Sequence, residues 1–229
     1  VRIGVTLPTF ADDPEEAIEA ARRAEALGFD GVFVFDHLWP LGRPDRPAIS
    51  AFPLLGALAA STERVALGPL VARVGLVPDD VLVAELCTLG RLAPGRVICG
   101  LGTGDAKSAA ENRAFGIDYD PADVRRLALR RCAERLRDAG LPVWVGGGAT
   151  ATTDVAVELG VAVNLWEGQP AAIAALARRV EVTWGGPLRG DLPAMAEWLA
   201  ELRSSGASWA VCAWPSSLEA LAGAARIGR

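Results

Sequence analysis

The stretch Ala24-Glu25-Ala26-Leu27-Gly28-Phe29-Asp30-Gly31-Val32-Phe33-Val34-Phe35-Asp36-His37 holds one repeat of the architecture. Its first four residues finish an alanine-rich amphipathic helix. Gly28 follows, the residue type that most readily takes the left-handed cap at a helix C-terminus. Next comes a short apolar run, predicted as a strand over Gly31–Phe35, which stops at two polar residues, Asp36 and His37. A run that is apolar throughout, without alternation, suits a strand buried on both faces, as in parallel sheets covered by helices.

The helix upstream is equally legible. Asp13-Pro14-Glu15-Glu16 places an acceptor at the N-cap, proline at the first helical position and glutamate three residues after the cap. Pro14, Ala17, Ile18, Ala21 and Ala24 form one apolar stripe, while Glu15, Glu19, Arg22 and Arg23 face away. The glycine stop recurs at Ala139-Gly140, Leu159-Gly160 and Ser205-Gly206, each just before another apolar run.

Downstream and upstream, the same alternation gives eight predicted strands: Arg2–Leu7, Gly31–Phe35, Val65–Val71, Arg96–Leu101, Val143–Gly146, Val161–Leu165, Val180–Trp184 and Trp209–Ala213. A doubly wound open sheet usually has fewer strands and reverses direction once. A closed barrel uses eight such units. The expected fold class is therefore α/β, a single compact (β/α)8 TIM barrel with shortened insertions, one domain over residues 1–229. The units after the fifth and sixth strands leave room for helices of only two or three turns.

Composition narrows the function classes. The 229 residues are 51% hydrophobic and 22% charged, enough for one sizeable core. The net charge of −5 is spread along the chain, and a single lysine, Lys107, stands against twenty-two arginines. No nucleic-acid footprint is expected from this pattern. Cys87, Cys99, Cys132 and Cys212 form no CxxC pair, and one histidine cannot complete a zinc set, so free thiols and no metal site are expected. No apolar run is long enough to span a bilayer, and Val1–Leu7 reads as a strand rather than a signal peptide. The expected location is cytoplasmic.

In such barrels chemistry gathers at the C-terminal ends of the strands. After the second strand stand Asp36, His37 and Trp39. A lone histidine is often structural, but this one sits at the catalytic face, where imidazole can give or take a proton near neutral pH. Asp36 either fixes its tautomer or caps the following segment. After the fourth strand, Gly100-Leu101-Gly102-Thr103-Gly104-Asp105 does not complete a dinucleotide fingerprint. Its glycines permit a close backbone approach to a flat ring or a phosphate, or merely a tight turn. Asp105 is a carboxylate at the barrel mouth, suited to act as acid or base. After the fifth strand, Gly146, Gly147, Gly148 and Thr150 precede a helix and read either as a phosphate cradle or as a hinge.

Read together, these pieces resemble the luciferase-like monooxygenase family, including its branch of deazaflavin (coenzyme F420) oxidoreductases. The resemblance runs from residue 1 to about 105. It includes Ala26-Leu27-Gly28-Phe29-Asp30-Gly31-Val32, Asp36-His37, Leu67-Gly68-Pro69-Leu70-Val71-Ala72, Thr88-Leu89, Gly95-Arg96-Val97 and Gly100-Leu101-Gly102-Thr103-Gly104. It resumes at Pro142-Val143-Trp144-Val145-Gly146-Gly147. The resemblance implies an oxidoreductase that moves hydride between F420 and a small organic substrate, with FMN as the alternative cofactor. It implies proton transfer at His37, with Trp39 a nearby aromatic, and a catalytic carboxylate at Asp105. It further implies contact of Gly146–Gly148 with the coenzyme phosphate, and a non-proline cis peptide at Leu70–Val71 against the ring. Residues 105–142 are shorter than in the family, so a trimmed relative without turnover remains an alternative, beside an FMN-dependent monooxygenase of the same family. A sugar-isomerase-like barrel would need several metal-binding side chains at the strand ends, and this chain lacks them. The helices near Ser50–Ala60 and Pro78–Arg91 carry apolar residues on more than one face, and relatives often pair through this side, so a homodimer is expected.

Overall fold

The computed structural model describes residues 1–40, 42–214 and 217–227. Its elements run β1 (Arg2–Thr6), α1 (Glu15–Leu27), β2 (Gly31–Val34), α2 (Ala51–Ser61), β3 (Ala66–Pro69), β4 (Ala72–Arg73), α3 (Asp79–Leu92), β5 (Cys99–Gly102), α4 (Ser108–Ala114) and α5 (Ala122–Asp138). They continue with β6 (Val143–Gly146), α6 (Thr150–Leu159), β7 (Ala162–Trp166), α7 (Pro170–Leu176), β8 (Val182–Gly186), α8 (Leu192–Ser204), β9 (Ala207–Cys212) and α9 (Leu218–Ile227).

Every strand pairing is parallel, in the order β3-β2-β1-β9-β8-β7-β6-β5-β4. The two ends of that order are one strand broken in the middle. The expected third strand, Val65–Val71, is interrupted at the cis peptide Leu70–Val71, which yields nine strand segments instead of eight. A bridge between Leu67 and Val97 draws the ends together, so the sheet is a nearly closed barrel. The expected strand Arg96–Leu101 therefore divides in two: Arg96–Ile98 bonds to Leu67, and only Cys99–Leu101 enters the ladder with β6.

The glycine stops act as read, and α1 begins at Glu15 with Pro14 rather than Asp13 at its N-cap. Asp13 accepts a hydrogen bond from the Glu15 N–H at 2.9 Å. Gly28, Gly140, Gly160 and Gly206 all have positive φ, between 66° and 93°. The helices α6 and α7 have ten and seven residues, about three and two turns.

Two apolar layers hold the barrel. Outward-facing strand residues such as Val32, Val34, Val145 and Val163 pack beneath the helices. Inside, Phe33, Trp144 and Trp209 form a three-ring plug. Phe33 and Trp144 stack at 5.2 Å, and Trp209 meets them edge-on at 5.9 and 5.4 Å. Glycines make the room: a Cβ on Gly31 would stand 2.9 Å from the Trp209 ring, and one on Gly4 would stand 2.9 Å from Phe33. Leu70 belongs to the same cluster as the plug, and Val71 packs against it.

The cysteines are free, with Cys99, Cys132 and Cys212 buried. Burial pushes all three thiols up to about 12. No helix among the described residues is long and apolar enough to cross a membrane.

Candidate functional site

A cavity of about 390 Å³ opens at the C-terminal ends of the strands. That volume lies within the usual range for small-molecule sites. Phe35, Asp36 and His37 approach it from the end of β2, and Leu70, Val71 and Arg73 from the broken third strand. Gly104, Asp105 and Ser108 close one side. Gly146, Gly147 and Gly148 form another, with Asn164 and Trp166 from β7. An aromatic wall stands over the opening: Phe10 stacks on Phe35 at 5.8 Å, and Trp166 meets Phe35 edge-on at 5.6 Å. Phe10 also lies 6.4 Å from the His37 ring.

Beneath the wall runs a charged network centred on Glu111, which is fully buried. Its Oε2 lies 3.1 Å from His37 Nδ1 and accepts from Arg73 Nη1 at 2.9 Å. Its Oε1 accepts from the Leu38 backbone N–H. Burial pushes the Glu111 carboxyl up, but the bonds from His37 and Leu38 and the charge of Arg73 outweigh it and hold the group below the usual range. Arg73 is itself 4% exposed, and its Nε and Nη2 are buried without a partner among the described residues.

Asp36 plays a different part from the tautomer-fixing one considered above. Its Oδ2 accepts from the Arg73 backbone N–H at 3.0 Å, tying the end of β2 to β4. The partner of the imidazole is Glu111. Burial raises the Asp36 carboxyl, and the Arg73 N–H, the guanidinium and His37 only partly offset that.

The other expected residues fall into two groups. Gly104, Gly146, Gly147, Gly148, Leu70, Val71 and Asp105 line the cavity with His37. Asp105 is already engaged: its Oδ1 accepts from the N–H groups of Lys107 and Ser108 at 2.9 and 3.2 Å, capping α4. Gly102, Trp39 and Thr150 are not in the cavity wall. A Cβ on Gly102 would stand 2.4 Å from Val71 Cγ2, so this glycine admits the neighbouring strand. Trp39 packs against Phe115 at 5.6 Å, and Thr150 is exposed at the start of α6.

Sequence reading missed Arg73, Glu111, Ser108, Asn164 and Trp166. Arg73 had a signal, a charge placed directly after an apolar strand on the catalytic side. Glu111 had none, because it belongs to a polar, alanine-rich stretch that reads as solvated helix. Asn164 is also set in place by a partner far along the chain, its Nδ2 donating to Thr183 Oγ1 at 3.0 Å.

Residues 1–128 match the family model described as luciferase-like monooxygenase. An F420-dependent glucose-6-phosphate dehydrogenase from Beutenbergia cavernae is 42% identical over 147 residues, which cover 64% of this chain and 42% of that relative. The chain thus matches less than half the length of that relative. An F420-dependent secondary alcohol dehydrogenase, solved with an F420–acetone adduct, has a TM-score of 0.84 at 15% identity, covering 100% of this chain and 99% of that one. The coenzyme F420 dependent tetrahydromethanopterin reductase from Methanopyrus kandleri has a TM-score of 0.77 at 14% identity, covering 97% and 96%. At those identities the two structures share the fold.

Proposed function

The chain belongs to the luciferase-like monooxygenase family, and on that premise we propose that it is an oxidoreductase using coenzyme F420 to exchange hydride with a small organic substrate. The observation that carries this is His37, placed in the wall of a cavity that also presents Leu70, Val71 and three consecutive glycines. The names of relatives sharing up to 42% identity point to the same coenzyme.

The residues present fit such a group. A Cβ on Gly148 would meet nothing within 4 Å, so this stretch of wall is bare backbone open to a ligand. The start of α6 follows at once, and free N–H groups at a helix N-terminus favour a phosphate. Gly146 and Val71 give an apolar bed, and Phe35 and Trp166 add aromatic faces to the wall. When bound, the deazaflavin supplies the centre that accepts or donates hydride. His37 takes or returns the accompanying proton, as a general acid–base.

The enzyme acts as a homodimer in this reading. An apolar groove lies between α2 and α3, bounded by Phe52, Gly56, Ala84 and Leu89, and Val81 and Leu92 beside it are 43% and 62% exposed. A second copy covers such a surface by twofold symmetry. Light scattering at micromolar concentration tests this, because a mass near the 23.9 kDa of one chain defeats it.

The test of function has two steps. Titration of the protein into F420 and into FMN should give saturable fluorescence quenching with F420 and none with FMN. Turnover is then followed by deazaflavin absorbance with glucose 6-phosphate and with neutral secondary alcohols. Absence of F420 binding at micromolar protein would overturn the proposal.

A further inference from the structure

An imidazole has two nitrogens, and which one carries the proton is set by the partner of the other. His37 Nδ1 lies 3.1 Å from Glu111 Oε2. An ionised carboxylate only accepts, so Nδ1 is the nitrogen that donates in this contact. Nε2 has no hydrogen-bond partner among the described residues, and the ring is 21% exposed in the cavity wall.

The carboxylate is the fixed member of the pair. Arg73 Nη1 holds the same oxygen that His37 meets, and the Leu38 N–H holds the other. The helix that carries Glu111 is pinned at both ends. Asp105 accepts from the Ser108 N–H at its start, and in its last turn the Asn112 side chain donates to the Asp118 carbonyl at 2.8 Å. Glu111 itself does not line the cavity. It touches no substrate, and any influence on chemistry passes through His37.

We propose that Glu111 is the positioning residue of the site, holding His37 in its Nδ1–H tautomer so that Nε2 faces the cavity as the atom that exchanges the substrate proton. The proton's identity rests on the oxidoreductase reading above, with an alcohol and its carbonyl as the substrate pair. In the oxidative direction a bound deazaflavin would take the carbinol hydrogen with both electrons as hydride. The C–O bond becomes a carbonyl, and the hydroxyl proton passes to Nε2. The resulting imidazolium is paired with the Glu111 carboxylate. Reduction reverses each transfer, with the proton returned from Nε2. A base oriented in this way by a third group is a recurring arrangement in proton-transfer sites.

One histidine in 229 residues makes the test direct, because the protein labelled with ¹⁵N-histidine has a single imidazole. With the ring neutral, Nδ1 should give the protonated, pyrrole-type signal and Nε2 the pyridine-type signal. The opposite pattern overturns the proposal without any variant, and this spectrum decides the matter if Glu111→Gln fails to fold. In folded Glu111→Gln the tautomers should mix, and kcat should fall about tenfold or more while the coenzyme Kd stays within about twofold. Unchanged tautomers, or unchanged kcat with mixed tautomers, would each overturn it. The spectrum needs neither coenzyme nor substrate, so failure to bind F420 removes the hydride reading and leaves the tautomer result standing.

Discussion

Gly100 and Pro69 meet backbone to backbone: a Cβ on Gly100 would stand 2.2 Å from the Pro69 carbonyl oxygen. Gly68 meets Ile98 in the same way, with its Cβ position 1.9 Å from the Ile98 oxygen. Both contacts lie at the seam between β3 and the stretch Ile98–Gly100 that runs into β5, where the barrel closes. Gly100→Ala should force the strands apart and lower stability by about 1–3 kcal/mol. Denaturant unfolding measures it, and an unmoved midpoint would mean that the seam yields freely.

Gly147 and Gly148 are adjacent but should respond oppositely to a side chain. At Gly147 a Cβ would meet Val163 Cγ1 at 2.6 Å and Thr153 Oγ1 at 3.2 Å, so Gly147→Val acts on packing and should lower Tm. At Gly148 the space is empty, so Gly148→Val should keep Tm and weaken F420 binding. Thermal melts and fluorescence titrations on both variants separate the two. Equal coenzyme affinity in Gly148→Val would move the phosphate elsewhere.

His37→Ala should preserve the fold, because Glu111 keeps Arg73 and the Leu38 N–H as partners. Turnover should fall by about a hundredfold or more, the usual scale for a lost general acid–base. Steady-state kinetics with any accepted substrate checks this, and a kcat equal to that of the unsubstituted protein would remove His37 from the reaction.

Breaking the buried ion pair is a different matter. Arg73→Met leaves the Glu111 charge without its guanidinium partner, at a cost of about 3–5 kcal/mol for an unpaired buried charge. Urea unfolding of the single variant reads the loss. If Arg73→Met,Glu111→Leu recovers most of it, the pair is held for function and not for stability.

Acid should loosen the same network. The Glu111 carboxyl lies below its ordinary 4.5 in the fold, so the folded state binds fewer protons than the unfolded state over that window. The stability it contributes is complete above pH about 4.5 and is lost as pH falls through the lowered value. Glu25, which accepts from the N–H groups of Glu63, Arg64 and Val65, shifts in the same sense despite partial burial. Asp36 shifts the other way and opposes them. Unfolding free energies from pH 6 to 3 should show a falling acid limb, flatter in Glu111→Gln. An equally steep limb in that variant would place the acid sensitivity elsewhere.

The legible parts of the fold were those written locally. Gly28, Gly140, Gly160 and Gly206 mark helix ends by themselves, since a positive φ needs no distant partner. Val32 and Val34 declare a doubly buried strand within a few residues. The break in the third strand was invisible to the pattern, because Leu67 to Ala72 is apolar throughout, and only the resemblance placed a cis bond at Leu70–Val71. His37 could be found because strand ends are few and it is the one histidine. Glu111 lies 74 positions away from it, and nothing in its own neighbourhood distinguishes it from the half-buried Glu134. Its burial comes from α4 lying against His37 and Leu38 after β2 and against Arg73 of β4. Trp39 lies outside the cavity wall in a similar way, against Phe115 just after α4.

The pairing of β1 with β9 also bears on how the protein is made. Arg2 of β1 sits opposite Trp209, and the Trp214 N–H donates to Thr6 Oγ1 across 208 positions. During synthesis at roughly 5–20 residues per second, one edge of β1 waits roughly 10–40 s for its neighbour to leave the ribosome. Until then the nascent sheet is an open crescent with a bare flank, and Phe33 and Trp144 lack the third ring of their plug. Slowing translation between β8 and β9 should lengthen that exposure and increase chaperone engagement.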